Sequence, residues 1–141
     1  MLRGAQPSDA NEMSGLSNAL GYPVDPNTLS ERIGRLSLRA DHFVGVAQSP
    51  SGAIVGWIHA AEHEILESGI TCEVLGLVVD RDQRNRGIGR QLIARVEQWA
   101  EGRGLKQVTV RSNVIRTESH PFYERLGFTR VKTQHAYRKK L

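Results

Sequence analysis

Residues 71–100 read TCEVLGLVVDRDQRNRGIGRQLIARVEQWA, and this stretch decides the fold. Its first part, TCEVLGLVV over 71–79, is a largely apolar run bounded by polar residues, as a central strand buried on both faces should be. Its last part sets Ile88, Leu92, Val96 and Trp99 at i, i+4, i+8 and i+11, one face of an amphipathic helix that Gly102 and Gly104 end. Between them stands Arg84-Asn85-Arg86-Gly87-Ile88-Gly89-Arg90. At a helix N-terminus several backbone N–H groups lack partners, and the helix dipole adds positive character. Gly87 and Gly89 have no Cβ, so an anion can approach the backbone closely, and three arginines add charge. The junction has the makings of a phosphate or pyrophosphate cradle. It is not a Rossmann fingerprint, which needs a third glycine where Leu92 stands, nor a Walker A loop, which needs Gly-Lys-Ser/Thr where Gly89-Arg90-Gln91 stands.

Outward from this unit the chain reads as mixed α/β. Residues 2–5 predict a short first strand. Pro7-Ser8-Asp9 offers a helix start, with Leu16 and Leu20 at helical spacing and Gly21-Tyr22-Pro23 as the stop. Asp25-Pro26 starts a second helix whose apolar side is Leu29, Ile33, Leu36 and Leu38. Residues 42–48 and 53–61 predict a hairpin around the turn at 49–52. Further on, 108–110 predicts a strand and 121–126 a short helix with Pro121 in its first turn. Gly127 ends that helix, and 128–133 and 134–139 predict two closing strands.

The 141 residues show no repeat, linker or low-complexity segment, so one domain over 1–141 is expected. At this length roughly two thirds of the unfolded surface can be buried, and a 39% hydrophobic content can fill the core. Net charge is +4, unevenly spread: residues 1–70 hold 4 Arg against 8 acids, and residues 71–141 hold 15 Lys and Arg against 7 acids. A basic half suits an anionic partner, and equally a solvated basic face. Against nucleic acid, the arginines cluster around one loop and one helix, aromatics are 6%, and no stacking motif occurs. Cys72 is the one cysteine, so no internal disulfide can form. MLRGAQPSDA has no apolar signal core and no window approaches a membrane span, so a soluble cytoplasmic protein with no membrane partner is expected.

The combination of Arg84-x-x-Gly87-x-Gly89 with the preceding strand Val74-Leu75-Gly76-Leu77-Val78-Val79 resembles the acyl-CoA-binding motif of the GNAT N-acetyltransferase superfamily. Asn113, just past the strand at 108–112, and Phe122-Tyr123-Glu124-Arg125-Leu126-Gly127-Phe128 resemble a second segment of that family, and Arg3-x-Ala5-x-Pro7-x-Asp9 resembles its usual start. The resemblance covers essentially the whole chain. It implies an α/β GNAT (acyl-CoA N-acyltransferase) fold, with a mixed, mostly antiparallel sheet of about six to seven strands flanked by about four helices. It implies an enzyme that moves an acetyl group from acetyl-CoA, the cosubstrate, to a primary amine of a small molecule or protein, by direct attack in a ternary complex and without a metal. On that pattern the backbone of Arg84, Asn85, Arg86, Gly87, Ile88, Gly89 and Arg90 holds the pyrophosphate. Leu77, Val78 and Val79 pair with the pantetheine arm, and an N–H near Val79 polarises the thioester carbonyl. Asn113 and Tyr123 contact the cofactor, and Tyr123 protonates the leaving thiolate. Homodimers are common in the family.

An alkyl amine is mostly protonated at neutral pH, so the transfer also needs a base. Glu73 is the first candidate, on the same face as Leu75 and Leu77 by period-2 alternation; a solvated strand-end carboxylate is the plainer reading. His120, His59 and His63 are the alternatives. Cys72 reads as buried and inert, and Trp57 and Trp99 as core. Arg116 reads as a ligand for a phosphate or carboxylate, or as a surface arginine. Glu62, Glu64 and Glu67 suit a cationic acceptor. Two further readings stand beside the enzyme: a non-catalytic acyl-CoA-binding sensor, against which Tyr123 argues, and a basic RNA-associated module, such as one acetylating an aminoacyl-tRNA.

Overall fold

Period-2 patterning and hairpin turns organise the first 110 residues around a sheet. The computed structural model describes residues 1–112 and 119–141. They form two units, Met1–Val110 and Arg111–Leu141. In the first unit the strands lie in the order β1 (Leu2–Gly4), β2 (His42–Gln48), β3 (Ile54–Ile65), β4 (Gly69–Val79) and β5 (Val108–Val110). Strands β1 to β4 pair antiparallel. β5 joins β4 in parallel, which requires a crossover, and helix α3 (Ile88–Gly102) supplies it.

Before β2 come a 3-10 turn at Pro7–Asp9 and helices α1 (Ala10–Ala19) and α2 (Pro26–Leu36). Asp25 caps α2, its carboxylate accepting from Thr28 N–H at 3.0 Å, with Pro26 in the first turn. Arg3 grips Asp9 with two N–H···O contacts of 2.8 Å, and Asp9 also accepts from Gln6 N–H at 2.8 Å. The Arg3 guanidinium holds the buried Asp9 carboxyl below its ordinary pKa. Glu12 ties α1 to β3 by accepting from Ile54 N–H at 2.8 Å.

Adjacent residues of β3 face opposite ways. Gly56 meets α3: a Cβ there would stand 3.2 Å from both Ile88 Cγ2 and Leu92 Cδ1. Trp57, on the other face, packs against the core of Ala10, Met13, Ile33, Val46 and Ile54 under α1 and α2. On the α3 side Leu92, Ile93, Val96 and Ala100 are buried, and Phe43 meets Trp99 at 5.9 Å.

Several expectations are corrected. β3 runs to Ile65, four residues beyond the expected end, because the hairpin with β4 keeps pairing to Ile65↔Gly69. Leu38 lies past the end of α2 and is 88% exposed, so it is not on that helix's apolar side. In the second unit α4 (Ser119–Arg125) forms and Gly127, at φ 92°, closes it. Residues 128–141 form no strand, so the described residues hold five strands rather than six to seven. Their apolar side chains are few and separated by charge, and Val131 and Tyr137 are 84% and 92% exposed, so these residues bury no sheet face.

Candidate active site

β4 is not uniformly buried. Thr71 to Val74 are buried, but Leu75 is 52% exposed. Pairing explains the change. Val74 faces Ala60 and Gly76 faces His59, so Leu75 is an extra residue, a bulge in β4. The bulge shifts the alternation by one. Glu73 therefore shares its face with Gly76 and Val78, and Leu77 turns to the α3 side. This corrects the expected grouping of Glu73, Leu75 and Leu77. β5 borders β4 only along Cys72–Val74. Beyond Val74 no strand of the described residues covers the outer edge of β4, so Leu77, Val78 and Val79 run along an open edge.

That edge leads into the glycine loop. A 3-10 turn at Arg81–Gln83 brings the chain to α3, which Gly87 caps in the left-handed region at φ 79°. Asn85 is also left-handed, at φ 64°, a conformation Asn tolerates better than most residues. A Cβ on Gly87 would meet nothing within 4 Å, so the space before the helix is open. Arg84, Asn85, Arg86 and Arg90 are exposed, and Ile88 and Gly89 half-buried in the first turn. Arg86 donates to Gln83 at 3.3 Å. The arrangement presents unpaired N–H groups and guanidinium charge at one point.

On the α1/α2 face of the sheet the structure gathers ionisable groups that sequence spacing only partly related. Glu73 is 7% exposed, and His63 Nε2 lies 3.6 Å from its carboxylate. His59 stacks on His42 with ring centroids 5.2 Å apart, and His59 Nε2 lies 2.9 Å from His42 Nδ1. Burial, helped by the nearby His42, lowers the His59 pKa to about 4, so His59 is neutral at pH 7. His42 is a site residue that sequence reasoning missed; only the β2–β3 register brings it beside His59. Glu62 points the other way, bonded to Arg103 Nε at 2.6 Å, so it does not serve an acceptor on this face. Burial, with Glu62 and Glu73 nearby, pushes the Cys72 thiol up to about 11, which keeps it unreactive at neutral pH. Among the described residues no cluster of His, Cys, Asp or Glu could hold a metal ion.

In the second unit Tyr123 sits on α4, edge-on to Phe122 at 5.1 Å and to Phe128 at 5.8 Å. His120 lies in the first turn of the same helix. Asn113 and Arg116 lie outside the described residues.

Residues 13–128 match the family model for the acetyltransferase (GNAT) family. An aminoglycoside N(6')-acetyltransferase type 1 of Salmonella typhimurium is 26% identical over 123 residues, spanning 84% of this chain and 85% of that protein. Glucosamine 6-phosphate N-acetyltransferase 1 of Oryza sativa is 30% identical over 126 residues, spanning 85% and 74% respectively. An aminoglycoside N-acetyltransferase solved in complex with CoA superposes with a TM-score of 0.88 at 20% identity, covering 100% of this chain and 95% of that one.

Proposed function

This chain belongs to the GNAT acetyltransferase family and is an acyltransferase, and we propose that it moves the acetyl group of acetyl-CoA to a primary amine by direct attack in a ternary complex. The observation that carries the reading is the outer edge of β4 beyond Val74, which no strand of the described residues covers and which leads through the turn at Arg81–Gln83 to the glycine loop and the N-terminus of α3. An extended thioester arm can pair along Leu77–Val79 as an added strand while its pyrophosphate meets the amides of 84–90. The bulge at Leu75 lies next to that edge, where bulges commonly re-aim backbone groups beside active sites. The CoA held by a structural neighbour supports acetyl-CoA as the cosubstrate. The family match runs through residue 110, which supports a single acetyltransferase domain over 1–141.

The chemistry follows from the residues. Glu73, buried beside His63, takes the proton from the ammonium form of the acceptor, directly or through water. The free amine attacks the thioester carbonyl, and a β4 N–H near Val79 stabilises the oxyanion. The C–S bond breaks and Tyr123 protonates the departing thiolate; Asn113 steadies the cofactor arm. The sensor and RNA-module readings gain no specific observation.

The test is calorimetric titration with acetyl-CoA, followed by thiol release across an amine panel. Saturable binding with amine-dependent release is expected. Failure to bind acetyl-CoA would refute the reading.

A further inference from the structure

The first unit holds a pocket of about 390 Å³ between α1, α2 and the sheet face bearing Trp57 and His59. The volume is in the range of small-molecule sites. Met13, Leu29, Ile33, Leu36 and Val44 make its walls apolar. Arg32 also lines it, whereas no carboxylate among the described residues does. Arg32 makes no ion pair among those residues. With His59 neutral, Arg32 is the single fixed charge of the described lining. Ser17 Oγ and Trp57 Nε1, from two lining residues, are buried without a hydrogen-bond partner among the described residues.

The pocket also has a position. Of its sheet residues Val44, Trp57 and His59, the last two are the register partners of Val78 and Gly76. One strand spacing, about 4.8 Å, separates these two from the β4 segment assigned to the acyl arm. The Trp57 ring lies over Gly76, where a Cβ would stand 2.9 Å from Cζ3, so the indole reaches from the pocket toward β4.

We infer that this pocket takes the acyl acceptor, and that the acceptor is an apolar α-amino acid: side chain against Met13 and Ile33, carboxylate on Arg32, amine toward β4. The inference deepens the acetyltransferase reading and rests on it. The amine gives up one proton to the base, its nitrogen forms the C–N bond, the C–S bond breaks, and the thiolate takes a proton, leaving an N-acetyl amino acid and CoA. An aminosugar with several ammonium groups would meet Arg32 and apolar walls, and the described lining holds no carboxylate to pair the ammonium groups beyond the reacting one, a costly burial.

Thiol release is measured with phenylalanine, leucine, phenethylamine, neamine and glucosamine 6-phosphate, on wild type and Arg32→Gln. Phenylalanine or leucine should exceed every other acceptor at least tenfold in kcat/KM. Arg32→Gln should lower the phenylalanine-to-phenethylamine ratio at least tenfold. A sugar amine as best acceptor, or a ratio unmoved by Arg32→Gln, would overturn the inference. If no amine is turned over, tryptophan fluorescence reads phenylalanine binding to the CoA-loaded protein. Saturable binding weakened tenfold by Arg32→Gln would keep the pocket and remove the acetyltransferase reading; absence of binding would overturn the pocket.

Discussion

Replacing Gly87 by Glu tests the cradle at the cap of α3. The residue caps α3 at φ 79°, and an added Cβ meets nothing within 4 Å. The substitution is therefore not a clash. Its folding cost is the left-handed backbone of an L residue, about 1–2 kcal/mol. A carboxylate at the helix start returns about 0.3–1 kcal/mol through the dipole. The net loss is about 1 kcal/mol, a melting shift of several degrees. Binding responds in the opposite sense. A carboxylate about 5 Å from one pyrophosphate charge costs roughly 3 kcal/mol at an effective dielectric of 20, a little over a hundredfold in Kd. Calorimetry at low salt, with a thermal melt of each protein, should show affinity for acetyl-CoA reduced about a hundredfold in a folded variant. Gly87→Asn, neutral and tolerant of the left-handed region, should lose much less. A folded Glu variant that binds within threefold of wild type would refute the cradle.

The remaining predictions concern single side chains. Tyr123→Phe should lower kcat about 10²–10⁴-fold with little change in acetyl-CoA affinity, and an unaltered rate in steady-state assays would remove Tyr123 as the acid. Glu73→Gln should flatten the acidic limb of the kcat/KM–pH profile; an intact limb would transfer the base role to a histidine or water. Gly76→Ala places a Cβ 2.9 Å from Trp57 Cζ3 and should destabilise by about 1–3 kcal/mol in denaturant titration while shifting tryptophan emission. Asp9, with its pKa lowered chiefly by Arg3, stabilises the fold above its unfolded pKa of about 3.9 and loses that contribution as pH falls through its lower folded value. Asp9→Asn should therefore cost about 1.5–3 kcal/mol at pH 7, and equilibrium unfolding should show the gap to wild type closing at acid pH.

Much of this protein was legible before any coordinates. The run at 71–79, the glycines at 87 and 89 and the 3.6-residue periodicity of 88–99 specify strand, loop and helix locally, because backbone permissiveness and amphipathicity are properties of neighbours in sequence. The expected strand 42–48 matches β2 to the residue, with the turn chemistry of 49–52 bounding its far end. The expected closing strands at 128–139 do not form, because their apolar side chains are few, and Val131 and Tyr137 stay exposed rather than burying a sheet face. Only tertiary structure decided the rest. The bulge at Leu75 exists because β3 and β4 pair out of step, and it moves Glu73 off the face of Leu77. The join of His42 to His59, the turning of Glu62 to Arg103 and the pocket around Arg32 all depend on register between distant segments. Sequence sets which groups each element can present; register and packing set which of them meet.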